Sequence, residues 1–561
     1  MGKGGCVDPT SSKSASNDTN LKSKSTLSLN QISYSELSTK ATVDECWIAY
    51  DGCVYDVTQW LVKHPGGIRS IMSAAGSDAS AVMKSLHTPN TLSVFLKRIR
   101  KVGVLVDELT DETVSTSGDQ GKTKDSSTNA ETQTASAMDA QLLTLHKRKQ
   151  ALQRRAAIEQ DFNALNERLV KEGWYEAQPL QYATSIVRVV AMLLVGIYLI
   201  RHSNSTETLE STSFLYRSVC LTLGSMLVGF YFQNVAFSGH DAGHGSITGC
   251  FAKDKVIGII IGNLLTGIDM GWWKSTHYVH HSATNSLHDD PDIQHMPLLC
   301  LDERMADNRW STYHGKYMLL DTVAKTLLPY QHLYFYPVLG VARINLYIQS
   351  VIYLIKTCPL IFSSSLSSKS KAGESFIDES TGEVKEKYAW PKQSAVTWIA
   401  SFVSLVIFYT TMIQFYLSLG IVTGVYSFFV THIAAGLLHV QILLSHICMH
   451  YCEDGPGTTG AISAPNGNNE AGYHEWQALS TMDIACPEWM DWFHGGLQFQ
   501  LEHHIFPRVP RWNLRKLCKL TDEIYAKYDV PVVRMGFIEA NRVMLRHIAE
   551  VGAKVTKAKS A

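Results

Sequence analysis

Between Gln393 and Cys452 the sequence contains no Asp, Glu, Lys or Arg. Sixty residues without a formal charge exceed what a soluble core helix carries, and one membrane span takes about 20 mostly apolar residues. Gly420 stands near the middle, so two spans folded as a hairpin are expected. The eleven cysteines contain no CxxC pair, which argues against both a thiolate zinc site and a disulfide framework. A formal net charge of −1 gives no global attraction to nucleic acid, and no such partner is expected. The first forty residues are polar, so no cleavable secretory signal is read there.

What is present divides the chain. Residues 1–31 are of low complexity and read as disordered; 32–107 form a compact module. Residues 108–138 have almost no apolar side chains and read as a flexible linker. Residues 139–178 carry Leu and Ala at helical spacing with a basic cluster at 147–149, Arg154 and Arg155. Such an amphipathic helix suits either an anionic membrane surface or a face of its own protein. Apolar runs at 183–200 and 213–237 fit two further spans, within an all-α membrane domain over 180–535, and 536–561 form a tail. Two weaker runs, 256–270 and 333–355, contain Asp269 and Arg343, which suits interfacial placement.

In the first module, "CVYDVT" alternates like a short strand, Trp47 precedes it, and "HPGG" at 64–67 and His87 bracket "AGSDAS". Together these resemble a cytochrome b5 domain, an α+β fold. The resemblance implies haem b held by His64 and His87 as axial ligands. With both axial positions filled, electron transfer is favoured over oxygen binding.

The remaining histidines fall in three clusters. His240 and His244 stand four apart in "HDAGH" and share a helix face. His277, His280 and His281 form HxxHH, and His503 and His504 follow Gln500 as QxxHH. Imidazole without Cys suits iron but not iron–sulfur chemistry. Three such boxes separated by apolar hairpins resemble the membrane fatty-acyl desaturase and hydroxylase superfamily. The resemblance implies a di-iron centre held by His240, His244, His277, His280, His281, His446, His503 and His504, with O2 as co-substrate. Gln500 stands where other branches carry a histidine; it would bind iron weakly, act through water, or hold a neighbouring ligand.

Within that superfamily, a fused cytochrome b5 domain and a third box beginning with Gln resemble the front-end desaturases. "GWWKSTHYVHHSATNSLHDDPDIQHMP", "YQHLYFYPVLGVARINLYIQS" and "GGLQFQLEHHIFPRVPRWNLR" look closest to sphingolipid Δ8 desaturases, which act on the long-chain base of ceramides. Acyl-lipid Δ6 or Δ5 desaturation is the alternative, and a lipid hydroxylase, or a haem electron carrier with an inert membrane part, stands behind it. The resemblance implies NADH–cytochrome b5 reductase as redox partner and an endoplasmic reticulum address; "KAKSA" at the C-terminus is similar to a dilysine retrieval signal. All boxes must reach one site from the cytosol, so four spans as two hairpins are expected, with a cytosolic histidine-rich cap and both termini cytosolic.

Overall fold

A computed structural model of the chain describes residues 30–106, 128–359, 373–378, 384–391, 393–452 and 471–557. The expected disorder before residue 30, most of the linker, and the last lysine of the tail lie outside the described residues.

The N-terminal module begins with β1 (Asn30–Ser33), and β2 (Trp47–Tyr50) and β3 (Cys53–Asp56) form a hairpin. Its two-residue turn is Asp51–Gly52, both at positive φ, the Asp-Gly pairing that a twisted hairpin favours. With β4 (Arg100–Val106) the sheet runs β1-β4-β3-β2, β1 parallel to β4. A helix, α1 (Ser80–Leu86), ends at His87.

Helix α2 (Thr128–Lys171) starts inside the expected linker. Of the two readings of its amphipathic character, packing on its own protein holds: Ile158, Phe162, Leu165 and Leu169 are buried against Leu501, Ile505 and Tyr525. Arg154 donates to Tyr528 O at 2.6 Å and pairs with Glu475 at 3.1 Å. Part of the basic cluster is therefore used internally.

Helices α3 (Pro179–Ser203) and α4 (Phe214–His244) form the first hairpin. A Cβ on Gly196 would lie 2.9 Å from Gly224 O, and one on Gly224 would lie 2.8 Å from Gly196 O. Two glycines thus allow the close helix approach common in bilayers. Helix α4 outlasts its apolar run, and the extra turns carry "HDAGH". The segment Phe251–Leu265 then breaks, and α5 (Met270–Ser282) leaves it at 111°.

Helix α6 (Gln331–Lys356) precedes the second hairpin, α7 (Ala395–Leu417) and α8 (Ile421–Leu444), whose turn is Gly420 at φ 80°. Among the described residues five helices are long and apolar enough to cross a membrane, one more than the sequence reading expected; the additional one is Thr322–Lys356. The charges taken there as interfacial are in fact internal. Arg343 is 0% exposed, donates to Tyr347 Oη at 2.9 Å and Thr266 O at 2.8 Å, and lies over the Phe232 ring. Asp269, also buried, caps α5 through Trp272 N at 2.9 Å and accepts from Asn263 at 2.8 Å. Both charged groups hold the break together, so neither marks an exposed surface.

The path of α6 follows from its ends. Gln331 donates to Ile548 O of the C-terminal helix at 2.7 Å and to Cys300 O at 3.0 Å. At the other end Leu354 O accepts from Trp398 at the start of α7 at 2.9 Å, and Tyr353 packs on Trp390. Trp390 in turn carries Arg69 of the N-terminal module over its ring at 4.9 Å. The segment before α7 holds a strand pair (Gly373–Ile377 and Val384–Tyr388) whose exit packs on that module.

Three helices follow toward the C-terminus: α9 (Gln500–Ile505), α10 (Arg511–Lys527) and α11 (Phe537–Lys557). Asp241 of the first box ties α10 to α3, pairing with Arg511 at 3.2 Å and accepting from Tyr182 at 2.7 Å.

Candidate functional site

His64 and His87 come from opposite sides of one apolar cavity of about 440 Å³. Their ring centroids are 6.0 Å apart. Each Nδ1 meets a backbone carbonyl, Gly67 O at 3.0 Å and Met83 O at 3.1 Å. A carbonyl only accepts, so both rings carry the proton on Nδ1 and present an Nε2 lone pair to the cavity. Burial pushes both imidazoles down, His87 to about 4, so both are in the neutral, ligating form. The two glycines of "HPGG" do different jobs. Gly67 sits at φ +89°, while a Cβ on Gly66 would lie 2.9 Å from the His64 ring.

The three histidine boxes, far apart in sequence, converge in the cap. Helix α4 supplies His240 and His244 from one face, and α5 supplies His277, His280 and His281. The short helix α9 supplies His503 and His504, and His446 follows the end of α8. The ligand nitrogens form two groups: His240, His244, His277 and His503, and His280, His446 and His504, each within 4.8 Å. His281 stands between them, its Nε2 3.0 Å from His277 Nε2 and its ring stacked on His504. His244 Nε2 is likewise 3.0 Å from His277 Nε2.

This packing fits metal ions. Nε2 of His240, His446, His503 and His504 are buried without a hydrogen-bond partner among the described residues. Orphaned buried nitrogens carry a penalty of about 1–3 kcal/mol each unless something coordinates them. Nitrogens about 3 Å apart are what adjacent ligands on one ion leave when bonds are about 2.1 Å. Burial, followed by the neighbouring rings, holds His503 and His504 well below the usual imidazole range, keeping their lone pairs available.

Second partners orient the rings. His504 Nδ1 meets Thr284 Oγ1 at 3.1 Å, and His446 Nδ1 donates to Ser480 O at 3.1 Å. His280 Nδ1 donates to Asp290 at 2.9 Å. Burial would lower His280, but Asp290 and Asp292 outweigh it and raise the imidazole to about 9. A carboxylate behind a ligating imidazole fixes its tautomer and strengthens it as a donor. The sequence reading missed Asp290, Thr284 and Ser480. Only "HDDPD" at 288–292, separated by six residues from the second box, hinted at the carboxylate.

Gln500 is buried but joins neither nitrogen group; it lines a second cavity of about 300 Å³ beside them. His240, His277 and His280 line the same cavity, with Phe237, Ile268, Leu339 and Leu438 along its apolar walls. His439 also lines it.

Comparison with known proteins agrees with this geometry. Residues 33–106 match the model of the cytochrome b5-like haem/steroid binding domain, and residues 217–362 and 375–535 match that of fatty acid desaturase. The chain is 29% identical over 553 residues to a Delta 8-(E)-sphingolipid desaturase of Komagataella phaffii, covering 91% of each. It is 30% identical over 515 residues to a Delta(8)-fatty-acid desaturase of Helianthus annuus, covering 92% of this chain and 90% of that one. A Delta 8-(E)-sphingolipid desaturase of Lachancea kluyveri is 26% identical, with 94% of each covered.

Proposed function

From the premise that this chain belongs to the fatty acid desaturase family, with a cytochrome b5-like domain at its N-terminus, we propose its substrate, cofactors and topology. It is an oxidoreductase of lipid chains in a multi-pass membrane protein. The substrate proposed is the long-chain base of a sphingolipid, desaturated at the Δ8 position, since relatives of that name cover nearly the whole chain. The alternative is an acyl lipid, which the Helianthus annuus relative's name favours.

The observation that carries the reading is the apolar cavity whose wall includes His240, His277 and His280. A lipid chain lying there exposes methylenes, not a head group, to the histidine cluster. Two iron ions fit, one held by His240, His244, His277 and His503, the other by His280, His446 and His504. Iron with O2 supplies the oxidising power that an unactivated C–H bond demands and that no side chain has. The protein's part is placement. The apolar walls exclude water, Asp290, Thr284 and Ser480 hold the rings, and Gln500 faces the chain beside them.

Haem b held by His64 and His87 would supply electrons one at a time, taken from NADH through a separate reductase. The fused module docks rather than diffuses, which raises its effective concentration. Four helices, α3, α4, α7 and α8, cross the membrane in this reading. Helix α6 does not, because its two ends meet the C-terminal helix and the contact with the N-terminal module, both on the histidine side. The endoplasmic reticulum membrane, with both termini cytosolic, follows from the same reading.

The test is expression in a host that lacks the activity, followed by lipid analysis. A new Δ8 alkene in the sphingoid base is expected. An alkene confined to acyl chains overturns the substrate, and a hydroxyl product overturns the reaction. Iron in the purified membrane domain separates all of these from an electron carrier with an inert membrane part.

A further inference from the structure

The haem cavity is closed by the other domain. Apolar side chains such as Val57, Ile71, Val82, Leu92 and Phe95 form its walls, and no Lys or Arg of the N-terminal module lines it. The two cations that do, Lys255 and Lys274, belong to the membrane domain, where Phe251 and Tyr278 join them in the lining. They sit on the two arms of the 111° bend that precedes the second histidine box, Lys255 near the start of Phe251–Leu265 and Lys274 early in α5.

Asp254 attracts the Lys274 ammonium from a distance, with no ion pair between them. Lys255 donates to Thr397 Oγ1 at 2.9 Å, and neither lysine forms an ion pair among the described residues. The nearby Asp254 is itself occupied by Thr248, through N at 3.1 Å and Oγ1 at 2.6 Å. Burial, then repulsion from Lys255, lowers Lys274 to about 8. Two cations with one distant carboxylate between them thus face a cavity whose proposed occupant, haem b, carries two carboxylates. A buried anion needs such a partner.

We propose that Lys255 and Lys274 bind the carboxylates of the haem, so that the haem site is completed by the membrane domain. This rests on the haem reading above and extends it. Haem binding and domain docking then reinforce one another by the same factor, as linkage requires. The haem is thereby pinned against α5, where Tyr278 donates to Gly243 O at 2.7 Å and packs on His244 with centroids 5.7 Å apart.

The experiment uses the purified full-length holoprotein. Lys255→Gln, Lys274→Gln and the double variant are compared with Lys274→Arg and with Lys253→Gln, an exposed neighbour that does not line the cavity. The haem midpoint potential and the rate of haem loss to excess haem-scavenging globin are read. Losing a cation leaves haem carboxylate charge unbalanced and favours ferric haem. The double variant is expected to shift the ferrous-to-ferric ratio by up to about tenfold at fixed potential, about 59 mV for one electron. Its haem should also leave faster, each single variant should show part of both effects, and Lys274→Arg and Lys253→Gln should show neither. A double variant with unchanged potential and unchanged haem loss overturns the clamp, as does an equal shift from Lys253→Gln. A wild-type protein without a bis-imidazole Soret spectrum would instead overturn the haem reading itself.

Discussion

Ser85, two residues before His87, donates its hydroxyl to the backbone carbonyl of Ile505 at 2.8 Å, one residue after His504. The same hydroxyl lies 3.2 Å from His504 O. A second bridge, Ser73 Oγ to Ser282 Oγ at 2.7 Å, is buried between the haem module and the end of α5. Docking of the two domains is therefore built on the elements that carry the two sets of histidines.

Ser85→Ala removes the hydroxyl from this interdomain contact, worth about 1 kcal/mol, and should lower the docking equilibrium constant about fivefold. Ser85→Trp should abolish docking by steric conflict at the Ile505 contact. Haem spectra of both variants should match wild type while alkene yield falls. Full yield from Ser85→Trp would show that this docked arrangement is not the productive one.

Asp290→Asn keeps the size of the group behind His280 but removes its charge. Loss of such an orienting carboxylate typically weakens metal affinity about 10–100-fold. Iron bound after dialysis against a graded chelator should fall in that range. An iron content equal to wild type across the series would remove Asp290 from the support of the site.

Gly243 lies between the histidines of the first box, and a Cβ there would overlap the indole of Trp273, which stacks on His277 at 4.3 Å. Gly243→Ala should displace both rings, with an overpacking penalty of about 1–3 kcal/mol. Reduced iron occupancy in a protein that still inserts in membranes is the expected result. Normal iron content would mean that Trp273 moves without taking His277 along.

The topology is open to glycan mapping. A glycosylation site inserted within 205–212, in the turn between α3 and α4, should be modified, whereas one inserted between the strands at 378–384 should not. Glycan at the second position would make α6 a fifth crossing helix.

Much of this protein is determined by local pattern. The uncharged stretch from Gln393 fixes two helices around Gly420, because apolar length and a helix-breaking turn are properties of neighbouring residues. Histidines at i, i+3 and i+4 share a helix face in any fold, so each box brings its own imidazoles together. The tertiary structure alone decided what surrounds those ligands and how the long apolar segments run. Arg343 looked interfacial until Thr266 O and the Phe232 ring, both from elsewhere in the chain, met it. Asp290 behind His280, Ser480 behind His446 and the lysines at the haem cavity are likewise partners across sequence distance. Charge and hydrogen bonding depend on which groups end up within about 3 Å, and that distance is set only when the helices pack.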